Sequence, residues 1–146
     1  MPIKNYTSEV PVDRSILKIE SLLIQAGAMN IVKTYENKEI EGITFNILVN
    51  NIPYIFKIPA KVDAVYHKLY KIRKTRMTKG QLESLKKQAQ RTAWKNVHDW
   101  IQMQLTMIEL EQVEVMEVLM PYIYNPDTRK TYFEHMKGND FKLLNP

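Results

Sequence analysis

Between Lys57 and Lys95 the chain carries twelve lysines or arginines and only two acids, Asp63 and Glu83, while the remainder holds nine basic and fourteen acidic residues. The formal net charge of +5 therefore hides a strongly basic window set in a net acidic chain. Cations crowded in this way repel one another, and the chemistry that offsets the crowding is binding of an anion, most commonly a polyphosphate backbone. Lys68, Lys71, Arg73, Lys74, Arg76 and Lys79 form one candidate contact patch, and Lys87, Arg91 and Lys95 continue it at helical spacing. Aromatic rings beside cations hold nucleic-acid bases by stacking, which tolerates any base sequence. Tyr54, Tyr66, Tyr70 and Trp94 are the candidate platforms, although a core position is the commoner use of each ring.

Other chemistries are poorly served. The four glycines, at 27, 42, 80 and 138, are too scattered to form a loop that cradles a nucleotide phosphate, and neither G-x-S-x-G nor H-E-x-x-H occurs. Without cysteine there is no disulfide, no thiolate zinc site and no thiol nucleophile. His98 and Asp99 have the types of a base and its orienting carboxylate, but neighbours on a helix point about 100° apart, so a surface histidine beside Lys95 is expected. Glu109, Glu111, Glu114 and Glu117 have the types of a magnesium site, yet on one helix they fan across roughly 200°. They read as a solvated face, or as a surface for the basic segment of a second copy. No catalytic residue, metal or cofactor is expected, and the chain reads as non-enzymatic.

With 146 residues, 45% hydrophobic and 25% charged, the chain has the make-up of a single domain spanning 1–146, with residues 1–11 as an extended arm and 122–146 as a tail packed on the body. No stretch approaches the ~18 apolar residues of a membrane span and the first residues lack the apolar run of a signal peptide, so a cytoplasmic protein without a membrane partner is expected.

The elements that position the basic window follow from periodicity. Ile16, Ile19, Leu22 and Leu23 recur at helical spacing between a candidate N-cap at Asp13 and a terminating Gly27. From Met29 the period becomes two, Ile31, Lys33 and Tyr35 opposing Asn30, Val32 and Thr34. Ile43, Phe45, Ile47 and Val49 then alternate with Thr44, Asn46 and Leu48, and a third strand, Ile52 to Ile58, completes an antiparallel meander. Asn50-Asn51 suits the tight hairpin turn, and Pro53 places the third strand at an edge.

A helix from about Lys61 buries Val62, Val65, Tyr66, Leu69 and Ile72. The stretch 71–80, with Gly80 as breaker, reads as a loop or frayed end. A long helix from near Gln81 to at least Ile108 has the apolar line Leu82, Leu85, Ala89, Ala93, Val97, Trp100, Gln104 and Ile108. Lys87, Arg91, Lys95 and His98 fall on its opposite side, Trp94 at the margin and Trp100 in the core. A break near Gln112 is expected, because forty unbroken residues would make about 60 Å of helix. The fold class is α+β: an N-terminal helix, a three-stranded antiparallel β-meander and a helical C-terminal half with one long helix.

Three segments, Phe56-Lys57-Ile58-Pro59-Ala60-Lys61-Val62-Asp63-Ala64-Val65, Arg91-Thr92-Ala93-Trp94 through Asp99-Trp100-Ile101 and Gln104, and Leu119-Met120-Pro121-Tyr122, resemble a family of small proteins recurrent in tailed-bacteriophage genomes. The resemblance covers most of residues 12–135, and where that family has a glycine after the long helix this chain has Glu111 or Gln112. No activity is carried over with it. What the resemblance implies is a setting in DNA replication, recombination or host takeover.

Charge and setting together point to a nucleic-acid-binding accessory protein, for single-stranded DNA or with weak sequence selectivity. The alternatives are a module that binds or inhibits an acidic host or viral protein, and a small assembly component that forms homo-oligomers.

Overall fold

The computed structural model describes residues 3–73 and 75–144. Its elements are α1 (Val12–Gln25), β1 (Met29–Glu36), β2 (Glu39–Val49), β3 (Ile52–Pro59), α2 (Val62–Ile72), α3 (Lys79–Glu109), α4 (Val115–Leu119), β4 (Tyr124–Asn125), β5 (Lys130–Thr131) and α5 (Tyr132–Gly138). The fold is α+β, with an antiparallel sheet in the order β1-β2-β3 and one long helix, α3. No helix among the described residues is long and apolar enough to cross a membrane. The chain gathers into two compact units, Met1–Leu22 with Ala60–Met103, and Leu23–Pro59 with Gln104–Pro146.

In the sheet unit, both hairpins turn on residues that tolerate left-handed backbone: Asn37 and Lys38 (φ 52° and 67°), then Asn50 and Asn51 (φ 53° and 67°). β2 and β3 pair in unbroken register from Gly42↔Pro59 to Val49↔Ile52, so Ile43, Phe45, Ile47, Phe56 and Ile58 share the buried face. The Phe45 and Phe56 rings lie 5.7 Å apart. β1 departs from strict alternation. Irregularities between Met29 and Val32 and between Thr34 and Tyr35 each shift the pairing, leaving Ile31 and Thr34 as the half-buried positions and exposing Val32 and Tyr35. Ile123 bridges to Phe56, so the chain beyond α4 lies along β3.

α1 ends in a Schellman arrangement: Gly27 N–H donates to Ile24 C=O (3.0 Å), Ala28 N–H donates to Leu23 C=O (2.9 Å), and Gly27 sits at φ 92°. Its start corrects the expected cap. Val12 is already helical, the Pro11 carbonyl accepts from Arg14 and Ser15 N–H, and Asp13 lies in the first turn, where its charge favours the positive end of the helix dipole.

In the other unit, α2 and the first half of α3 bury Leu69, Leu85 and Ala89, with Ile3, Val62, Val65, Tyr66 and Met77 packed around them. Gly80 does not break the chain but lies inside the first turn of α3. Thr78 starts that helix: its Oγ1 accepts from Gln81 N–H (3.2 Å) while Gln81 Oε1 accepts from Thr78 N–H (2.9 Å), a reciprocal capping box.

α3 stops at Glu109, and Glu111 takes the left-handed position at φ 58°. Gln112 N–H donates to Met107 C=O (2.9 Å) and Glu111 N–H to Ile108 C=O (3.0 Å), so Glu111 occupies the place glycine usually holds.

Candidate nucleic-acid interface

The acid-free stretch from Ala64 to Leu82 spans the end of α2, the connection 73–78 and the start of α3. Lys68 and Lys71, three residues apart on α2, share one flank of that helix and are exposed. Arg73 is the residue after the helix, its N–H returning to Leu69 C=O, and its guanidinium reaches the Met77 sulfur at 3.5 Å. Arg76 and Lys79 are exposed as well. None of these five cations forms an ion pair among the described residues. Lys74 lies outside the described residues.

Lys79 is the first residue of a 31-residue helix whose first turn contains no acid. A cation there stands against the helix dipole, an arrangement that costs about 0.3–1 kcal/mol and raises the local positive potential. On α2, next to Lys71 in sequence, Tyr70 is 49% exposed and its ring lies 6.4 Å from that of Tyr66. Tyr66 is half-buried, with the Lys86 ammonium 5.3 Å over its centroid. Of the four aromatic candidates, Tyr70 alone presents an open ring beside free cations. Tyr54 belongs to the other unit, half-buried against Phe56 at 6.3 Å.

Along α3 the cations are committed to other groups. Lys86 pairs with Asp63, and that hydrogen bond, followed by the Lys86 charge, holds the Asp63 carboxyl below its ordinary value. Arg91 donates from Nε to Ser8 C=O (3.1 Å) and from Nη2 to Gln88 Oε1 (2.6 Å). Lys95 donates to Asp99 Oδ1 at 2.6 Å. Lys87 remains exposed. In the other unit Lys57 pairs with Glu41 (3.1 Å) and lies over the Tyr124 ring.

Two expectations about α3 are overturned. Trp94 is fully buried, so its ring offers no face to a base, while Trp100 is only half-buried. His98 is buried rather than on the surface, with Nδ1 2.8 Å from Asp99 Oδ1. The reason is geometric: Leu85, Ala89 and Thr92 mark one buried side of α3, Trp94 and Ile101 another about 180° away, so no single stripe describes the helix.

Asp99 gathers Lys95, His98 and Asn5, whose Nδ2 donates to Oδ2 at 2.9 Å, with the Lys4 ammonium at 3.6 Å. Burial works against its charge, yet the hydrogen bonds from Lys95, Asn5 and His98 outweigh it and hold the carboxyl well below the usual carboxylate range. A carboxylate only accepts, so His98 Nδ1 carries the hydrogen. Sequence spacing exposes the Lys95–Asp99 pair, at i, i+4; nothing in it signals Asn5 or Ser8. The glutamates after α3 form no metal-ligating group, and none occurs elsewhere among the described residues.

No protein-family model, curated protein or solved structure matches this chain.

Proposed function

We propose that this protein binds nucleic acid through the connection between α2 and α3, as a non-enzymatic accessory protein that takes single-stranded DNA or binds with weak sequence preference. One contrast carries the reading: Lys68, Lys71, Arg73, Arg76 and Lys79 are exposed and without ion pairs among the described residues, whereas Lys86, Arg91 and Lys95 are held by other groups. The footprint is therefore narrower than the charge of the whole window implies. Tyr70 supplies a stacking face next to these cations, the combination that sequence-tolerant single-strand binders use. The resemblance to tailed-phage proteins carries no activity of its own and would set such binding in phage DNA replication or recombination.

Phosphate contacts release counterions, so five of them on a single strand give a slope of log affinity against log salt of roughly −3.5, or roughly a 130-fold loss between 50 and 200 mM salt. Titration of a labelled single-stranded oligonucleotide at both salt concentrations tests this. Replacing Arg73 and Arg76 together with glutamine reduces the slope by roughly 1.4 and weakens all base sequences alike. Salt-independent affinity, or no binding at 50 mM, rejects the reading.

A further inference from the structure

Lys87, Arg91 and Lys95 have the spacing of a phosphate-tracking stripe, but the segment before α1 lies across it. The Ser8 carbonyl accepts from both Arg91 Nε and Gln88 Nε2, each at 3.1 Å. One turn further along, the Asn5 carbonyl accepts from Thr92 Oγ1 (2.8 Å), and the Asn5 amide donates to Asn96 Oδ1 (2.8 Å) and Asp99 Oδ2 (2.9 Å). Glu9, Pro11 and Val12 then line a shallow depression of about 420 Å³ together with Lys87, Gln90 and Arg91, so the same segment borders the α3 face that carries Arg91. The arm is not simply extended. Tyr6 N–H returns to Ile3 C=O and Ser8 N–H to Asn5 C=O, with Asn5 at φ 63°, so the turn that aims both carbonyls at α3 depends on a residue that tolerates left-handed backbone.

We propose that residues 4–9 are an autoinhibitory strap, withholding Arg91 from the nucleic acid that binds at the α2–α3 connection. The inference rests on the nucleic-acid reading above and adds its regulation. Apart from Ile3, which packs on the Leu69, Leu85 and Ala89 cluster, the strap is held by polar bonds that water can replace, so it can lift without dismantling the core. Once the strap is lifted, the Arg91 guanidinium loses its carbonyl partner and the footprint grows from five cations to six.

Oligonucleotide titrations of the full chain and of Asn5→Ala, Thr92→Val and the double variant, each checked for folding by circular dichroism, test the strap. Asn5→Ala removes the amide and strains the turn. Thr92→Val keeps the side-chain shape but removes the donor to the Asn5 carbonyl, so either variant serves if the other fails to fold. The expected result is tighter binding at 50 mM salt and a slope steepened from roughly −3.5 to roughly −4.2, which widens the loss between 50 and 200 mM from roughly 130-fold to roughly 340-fold. Adding Arg91→Gln to the Asn5→Ala background returns roughly 0.7 of that slope. Salt-dependent binding by the unaltered chain, with the variants matching it in affinity and slope, overturns the strap alone. No binding by any of these proteins at 50 mM overturns the strap and the nucleic-acid reading together.

Discussion

Asp99→Asn keeps the shape of the side chain while removing the charge on which Lys95, Asn5, His98 and Lys4 converge. The asparagine retains one acceptor oxygen, but its amide presents hydrogens to groups that are themselves donors. Hydrogen bonds to a charged group contribute about 1.5–3 kcal/mol each and are not additive, and Asp99 and Lys95 keep 20% and 24% of their side-chain surface open to water, so the net loss should be about 2–3 kcal/mol. For a chain of this size that lowers the melting temperature by about 5–10 °C.

The pH dependence has a definite sign. The folded carboxyl titrates well below the unfolded one, near 3.9, so its contribution is complete above about pH 5 and is lost as pH falls through the folded value. Thermal unfolding followed by circular dichroism should therefore show a gap between the two proteins that is constant from pH 5 to 8 and narrower at pH 3. A gap under about 2 °C at pH 7, or one as wide at pH 3 as at pH 7, refutes the assignment. Asp63→Asn is the contrast. Asp63 is 81% exposed, and its pairing with Lys86 on an open surface should leave the melting temperature within about 1 °C of the unaltered chain.

Two further substitutions separate stability from binding. Glu111→Gly places the residue that suits φ 58° at the end of α3 and should raise stability by about 1 kcal/mol, read as a melting temperature about 2–4 °C higher; an unchanged or lower value contradicts the left-handed geometry. Gln81→Glu keeps the capping box with Thr78 and adds a charge favoured at a helix start, so stability should rise by about 0.3–1 kcal/mol while oligonucleotide affinity falls and its salt slope drops by up to about 0.7. A rise in both stability and affinity would contradict the placement of the ligand at that end of α3.

Where local chemistry decides the structure, the residues were readable. Asn50-Asn51 turns the second hairpin because asparagine tolerates positive φ, the buried alternation of Ile43, Phe45 and Ile47 survives in β2, and the break after α3 follows from how long a helix a chain of this size accommodates. Gly80 misled because a glycine is a breaker only in the absence of a cap, and Thr78 with Gln81 supplies one. The faces of α3 misled more deeply. Periodicity assigns a helix one buried stripe, so a helix covered from opposite sides presents two overlapping stripes, and Trp94 and His98 fell to the wrong one. The candidate interface divides in the same way. Its exposed cations could be named from composition, but that Arg91 is spoken for depends on the Ser8 backbone carbonyl, 83 residues away, and carbonyl groups carry no residue signature.

The helix caps bear on what the basic connection is for. Three capping boxes occur among the described helices: Thr78 with Gln81, Glu114 with Glu117, and Thr131 with Glu134. Glutamate is the better electrostatic choice at the third position, since it completes the box and also sits well at the positive end of the dipole. The last two boxes use it. The box that opens α3 uses neutral glutamine, follows it with an acid only at Glu83, and precedes it with Lys79, so at this helix start the sequence supplies hydrogen bonding without negative charge. The proposed binding of a polyanion at the same place would account for that choice, because each carboxylate added there would cancel a cation that such a ligand needs.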